Sequence, residues 1–266
     1  RLIFDEILST FLINSKIRRA IKKVKKISKK FNEQPFNSVV KSLNFKLTTD
    51  QVNAINEINN DLKSDRKMFR LLQGDVGSGK TIVAMIACLN TISSNFQVGF
   101  MAPTEILANQ HYDLAKKILG KNINIQILTG KTDYQKRKKI LKDLEENKVN
   151  LLIGTHSLFQ QKINYSSLGL IVIDEQHKFG VKQRKKLSDK GGKNCDVLVM
   201  SATPIPRTMI MTFFGDMDTS VIKNKPKERK PIKTYSKIEN KVNDILNFVK
   251  KEIKKNNQVF WVCPLI

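Results

Sequence analysis

The 266-residue chain is 40% hydrophobic, enough to bury a core and too apolar for a disordered segment. Its 48 Lys and Arg against 24 Asp and Glu leave a net charge of +24, which favours polyanionic partners, nucleic acid first and an anionic membrane surface second. Lysine far outnumbers arginine, and Asn and Ile are abundant, a mixture that an A/T-rich genome produces on its own, so charge alone does not establish DNA binding.

The chain opens with Arg1, Leu2, Ile3 and Phe4, followed at once by Asp5 and Glu6. That is not a signal peptide, and it reads as a cut inside a longer protein. Residues 1–30 are expected to form one or two helices, because Ile17, Ala20, Ile21, Val24, Ile27 and Phe31 recur at helical spacing. The lysines and arginines between them, Lys26 and Lys29 included, read as a solvated helix face; the sharper alternative is a basic helix touching a phosphate backbone. Residues 1–46 are taken as a helical lead-in.

From residue 47 apolar runs alternate with helical patterns. Strands are expected at 69–72, 98–102, 123–128, 149–153, 168–173 and 197–200, with helices at 50–62, 81–93, 106–119 and 134–146. Such alternation implies right-handed crossovers and a mostly parallel sheet covered on both faces, an α/β fold over residues 47–214. Residues 215–231, with Pro226, Pro231 and many charges, read as an exposed connector. Residues 232–266 then begin a further α/β unit, with strands at 232–235 and 259–262 around a helix at 242–253. Cys88, Cys195 and Cys263 are far apart, with no metal-ligand spacing to any histidine, which predicts buried thiols in a reduced, intracellular protein without a structural metal. No run of about 18 apolar residues is available to cross a bilayer.

One motif names a substrate. Gly74-Asp75-Val76-Gly77-Ser78-Gly79-Lys80-Thr81 satisfies every fixed position of G-x-x-x-x-G-K-[ST], between an expected strand and an expected helix. Glycines let the backbone wrap a polyphosphate, whose charge then meets the freed amides and the positive end of the helix. Lys80 is expected to reach the β- and γ-phosphates of ATP, and the Thr81 hydroxyl to ligand Mg²⁺. A glycine-rich turn matching by chance is the plain alternative, and both flanks weigh against it. The strand at 168–173 ends in Asp174 and Glu175. A strand can end in acids merely because it surfaces there. Beside a phosphate loop, Asp174 is placed to hold Mg²⁺ through water and Glu175 to polarise the attacking water. Gln176 and His177 complete a D-E-x-H sequence suited to coupling nucleotide state to a neighbouring segment. Ser201-Ala202-Thr203 would alone pass for a helix cap; after the loop and D-E-x-H, the hydroxyls of Ser201 and Thr203 are read as partners of the acid loop. All these segments fall at expected carboxyl ends of strands, where such sheets bind ligands.

The order of loop, D-E-x-H and S-A-T resembles superfamily 2 helicases. The flanking residues, 102–111 around Pro103-Thr104-Glu105, 154–160 around Gly154-Thr155-His156, 174–181 and 201–208, are similar to the RecG family of ATP-dependent DNA helicases along nearly the whole chain. Lys227-Glu228-Arg229 departs from it, glycine being usual before the arginine. The resemblance implies a RecA-like P-loop NTPase domain and the start of a second one. It implies Gln51, in Phe45-Lys46-Leu47-Thr48-Thr49-Asp50-Gln51, as the reader of the adenine edge. Pro103, Thr104, Glu105, Gly154, Thr155 and His156 would line the DNA path, with strand-to-helix turn chemistry as their plain reading. It further implies a cytoplasmic, monomeric motor acting on branched DNA, forks and Holliday junctions, in recombination and repair. The related transcription–repair coupling translocase typically carries an aromatic in place of Ser78 and an acid in place of Gln176. From other classes, a non-hydrolysing nucleotide-responsive DNA-binding module and a P-loop metabolic kinase remain as alternatives.

Overall fold

The computed structural model describes residues 25–31, 45–120, 122–155, 163–174, 192–203, 217–224, 233–238 and 241–263, with isolated positions 5, 8, 9, 12, 39, 40, 43 and 158. The chain divides into two compact units, residues 1–227 and 228–266.

The first unit is built on seven strands: β1 (Phe69–Gly74), β2 (Gln97–Met101), β3 (Ile125–Leu128), β4 (Leu151–Gly154), β5 (Leu168–Ile173), β6 (Asp196–Ser201) and β7 (Asp218–Ile222). They form one sheet in the order β3-β4-β2-β5-β6-β1-β7, and every pairing is parallel. Helices α1 (Thr49–Lys63), α2 (Lys80–Ile92), α3 (Glu105–Leu119) and α4 (Tyr134–Glu145) alternate with the strands. The central strands β2, β5 and β6 are buried along their whole length and mostly apolar, because both faces are covered. Leu170 and Val172 of β5 join the core shared with α1, α2 and α3, while Ile171 and Ile173 join the core shared with α4. Helix α2 lies deepest; it is buried nearly all round, so its apolar pattern shows no polar stripe.

All six expected strands and four expected helices of this unit form, within a few residues of the expected ends. Strand β7 does not belong to that expectation. It lies inside the expected connector 215–231 and pairs with β1, Leu72 opposite Ser220. As an edge strand its burial alternates, Ser220 and Ile222 inward, Thr219 and Val221 outward, so no apolar run marks it. Two ties hold its carboxyl end: Lys223 N and Asn224 N both donate to Asp50 Oδ2 at 2.9 Å.

Residues 25–31 correct the lead-in. They are not helical; Lys25 makes an isolated antiparallel bridge with Arg66, and Lys26 N and Lys29 N donate to Asp65 O and Leu62 O. Lys26 and Lys29 are not solvated. Both ammonium groups donate to Asp196 Oδ2 at 2.6 Å, with all three side chains fully buried. Asp196 Oδ1 accepts from Met68 N at 2.7 Å, joining the starts of β1 and β6 to the same carboxylate. Burial pulls the Lys26 pKa below its ordinary value, opposed by the Asp196 charge.

The second unit contains α5 (Val242–Lys254), none of whose residues is buried. Its described residues 233–235 and 259–262 form no strand, contrary to expectation. A strand is defined by its ladder, and among the described residues neither segment has a partner to hydrogen-bond. Of the three thiols, Cys88 and Cys195 are buried as expected, and burial pushes the Cys195 pKa up to about 12; Cys263 is exposed. Among the described residues no helix is long and apolar enough to cross a membrane.

Candidate nucleotide site and its DNA-side neighbours

The loop between β1 and α2 has the geometry its glycines predict. Gly77 and Gly79 adopt φ of 75° and 90°, left-handed conformations that a side chain disfavours. A Cβ on Gly79 would strike Gln51 Nε2, and one on Gly74 would lie 2.5 Å from Ser78 Oγ. Gly79 is the N-cap of α2 and supplies no side-chain cap, and the first turn carries no acid. The amide end of α2 is therefore open to an anion. Ser78 Oγ is fully buried and has no hydrogen-bond partner among the described residues, a polar atom awaiting one. Lys80, itself buried, donates to the carbonyl oxygens of Gly74 at 2.6 Å and Asp75 at 3.1 Å, so its ammonium sits in the concavity of the loop. Val76 at the tip is exposed. This cradle of amides, hydroxyl and ammonium fits a polyphosphate.

Gln51 clamps the loop from the side. Its Oε1 accepts from Thr48 N at 2.8 Å while Thr48 Oγ1 accepts from Gln51 N, closing the first turn of α1 reciprocally. Its Nε2 donates to the Ser78 carbonyl at 2.7 Å. The residue expected to read a base edge is thus buried, with both ends of its amide engaged, and it packs against the back of the phosphate loop.

Asp174 follows β5 directly. Its N–H donates to Met101 O at 2.9 Å, extending the β2–β5 ladder past the strand end, and its Oδ2 lies 2.8 Å from His111 Nε2. Thr81, one residue into α2, is half-buried. The donor set fits Mg²⁺ in the manner usual for nucleotide sites, one carboxylate and one hydroxyl with phosphate and water supplying the rest. Among the described residues no group of three metal-ligating side chains exists that would hold a structural metal. Glu175, Gln176, His177 and His156 lie outside the described residues.

Ser201 and Thr203 are tied to the phosphate loop through β1. Ser201 Oγ and Thr203 Oγ1 are 3.0 Å apart, and Gln73 Nε2, one residue before Gly74, donates to Thr203 O at 3.2 Å. Gln73 also pairs with Ser201 in the β1–β6 register. Further along the same edge, Thr104 caps α3 by accepting from Leu107 N and is exposed, with Pro103 and Glu105 half-buried. Glu105 lies 3.6 Å from Lys131. Gly154 ends β4 buried, where a Cβ would collide with Leu128 O, and Thr155 follows it half-buried. Its glycine thus has a packing reason independent of any ligand.

A profile of the DEAD/DEAH box helicases matches residues 48–212, the whole sheet up to the end of β6 included. The chain belongs to the DEAD/DEAH box helicase family. The RecG helicase of Thermotoga maritima is 45% identical over all of this chain and 34% of its own length; that of Bacillus subtilis is 43% identical over all of the chain and 39% of its own. A structure of RecG bound to a three-way DNA junction superposes with a TM-score of 0.88 at 41% identity, covering 99% of this chain and 35% of that one. The RecG resemblance carried by the motifs therefore extends along the whole chain, and the fold is the RecA-like P-loop NTPase fold. The chain spans between a third and two fifths of these relatives.

Gln73 and His111 join this candidate site through contacts that no sequence motif specifies. Gln73 follows the expected strand 69–72, and the β1–β6 register brings it to Thr203. His111 sits among Ala108, Ala115 and Ile118, spaced to lie on the buried face of α3. A titratable residue on an otherwise apolar helix face was the signal available for it.

Proposed function

We propose that this chain is the first RecA-like motor domain of a RecG-type ATP-dependent DNA helicase, with residues 232–266 beginning the second. The intact protein couples ATP hydrolysis to translocation on double-stranded DNA and remodels branched DNA, forks and Holliday junctions, in recombination and repair. The observation that carries this reading is the placement of the Gly74–Thr81 cradle, Asp174 and Ser201–Thr203 at the ends of the adjacent strands β1, β5 and β6, in a chain so similar to RecG. The residue Ser78, where the transcription–repair translocase typically carries an aromatic, supports the RecG reading; here it is a small side chain fully buried beside Gly74.

In this reading Lys80 and the loop amides bind the β- and γ-phosphates, and Gln51 holds the loop, with one N–H and one lone pair of its amide left over for an adenine edge. Thr81 and Asp174 hold Mg²⁺, which when bound screens the phosphate charge. Glu175 orients and deprotonates the attacking water. Ser201, Thr203, Gln176 and His177 transmit nucleotide state. Pro103, Thr104, Glu105, Gly154, Thr155 and His156 border a DNA strand, contacting phosphate without reading sequence. The motor is monomeric and cytoplasmic.

The test is Lys80→Ala in the full-length protein. Unwinding of a three-way junction at saturating ATP should be lost while the melting temperature stays within a few degrees, because the variant removes one cation and its bonds to two loop carbonyls but no apolar core side chain. Retained unwinding would refute the phosphate-loop assignment.

A further inference from the structure

The contact between His111 and Asp174 has no part in the function proposed above. His111 Nε2 lies 2.8 Å from Asp174 Oδ2, with side-chain exposures of 8% and 12%. The imidazole packs against Phe100 of β2, ring centroids 4.8 Å apart, so its orientation is held by the core. The carboxylate is therefore gripped from two directions: its backbone by Met101 O, its Oδ2 by the ring.

We infer that His111 is a positioning residue for Asp174. The Nε2–H donor occupies Oδ2 and fixes the torsions of the side chain, so that Oδ1 is the oxygen offered to a metal-bound water. Partners of this kind set ligand orientation at metal sites, and their loss typically lowers metal affinity about 10–100-fold. His111 also lies on α3, the helix that Thr104 caps, six residues beyond Glu105. That is about 9 Å along a rigid rod. The turn placed on the DNA path and the grip on the metal-side acid thus belong to one element. The inference rests on the reading of Asp174 as the Mg²⁺ acid.

The experiment uses the full-length protein, a non-hydrolysable ATP analogue and Mn²⁺ as the probe, with free Mn²⁺ followed by electron paramagnetic resonance. His111→Leu should raise the Mn²⁺ dissociation constant about tenfold or more, while His111→Gln, whose amide nitrogen reaches about as far as Nε2, should stay within about threefold of the parent. His111→Asn is polar but one methylene too short, and should behave like Leu. The Gln–Asn contrast decides the matter even where the Leu variant fails to fold. Affinity for the analogue without divalent metal should not change. Asp174→Asn separates the two levels of the argument. If it weakens Mn²⁺ binding and the Leu and Asn variants at 111 do not, the positioning role is overturned and the metal reading survives. If Asp174→Asn itself leaves Mn²⁺ binding unchanged, the metal reading falls and this inference with it.

Discussion

Asp196 shows how far a single residue can depart from what its neighbours in sequence suggest. Lys26 and Lys29 belong to a lysine-rich stretch that reads as a wet surface, yet both are sealed against one carboxylate 170 and 167 residues away. Two ammoniums on one acid leave the cluster with a net positive charge. Further acceptors, Asp61 O at 2.8 Å from Lys26 Nζ and Asn194 O at 3.3 Å from Lys29 Nζ, and the Phe96 ring 5.1 Å from Lys29 Nζ, spread that charge over dipoles. Removing the acid strands both cations. Asp196→Asn should therefore destabilise the fold by about 3–5 kcal/mol, the range for breaking a buried ion pair from one side. Urea denaturation measures it, and an unchanged midpoint would mean that water reaches the lysines after all.

Among the elements, β7 depends most on a few contacts. It has one neighbour, β1, and half of it faces outward. Arg70 of β1 compensates from below. Its Nε donates to Asp61 Oδ2 at 2.7 Å, and its Nη1 to Glu57 Oε2 at 3.0 Å and Ser220 Oγ at 2.9 Å; Ser220 Oγ donates in turn to Glu57. One guanidinium thus joins α1, β1 and β7 in a fork that a lysine could not reproduce. Arg70→Met keeps the buried volume and removes the fork. The amides of β7 should then exchange about tenfold faster or more while those of β5 and β6 stay slow, because edge elements open locally at lower cost than the core. Equal acceleration across the sheet would show that Arg70 supports the whole fold and not this strand.

At the scale of the molecule, charge is the property that composition states and folding redistributes. The net charge is +24, but the buried lysines Lys26 and Lys29 face protein groups and contribute nothing to an outer surface. Enough cations remain outside, the exposed Lys136, Lys138 and Lys139 of α4 among them, for a polyanion to be held by counterion release. Binding of duplex DNA should weaken steeply with salt, with a log–log slope of about −0.9 for each phosphate contacted and several contacts in all. Fluorescence anisotropy between low and moderate salt measures the slope. A value no steeper than about −1, a single phosphate, would argue against DNA as the partner of this surface.

Sequence by itself determined the elements whose patterns are local. Six strands and four helices of the first unit follow from apolar periodicity, and the phosphate loop from eight consecutive residues whose φ angles and helix end the structure reproduces. The same holds for Asp174 at a strand end, since a buried run that stops in an acid is readable without a fold. Tertiary structure decided everything that depends on who the neighbour is. Strand β7 is half polar because it lies at an edge, and edges are a property of strand order. The strands expected in residues 232–262 lack partners among the described residues, and no run of residues forms a ladder alone. Lys26 and Lys29 are buried, Gln51 is turned toward Ser78, and His111 meets Asp174, because partners far away in the chain arrive at these sites only when parallel strands and their crossovers are in place. Side-chain chemistry is written in sequence; desolvation and distance, which determine what that chemistry does, are not.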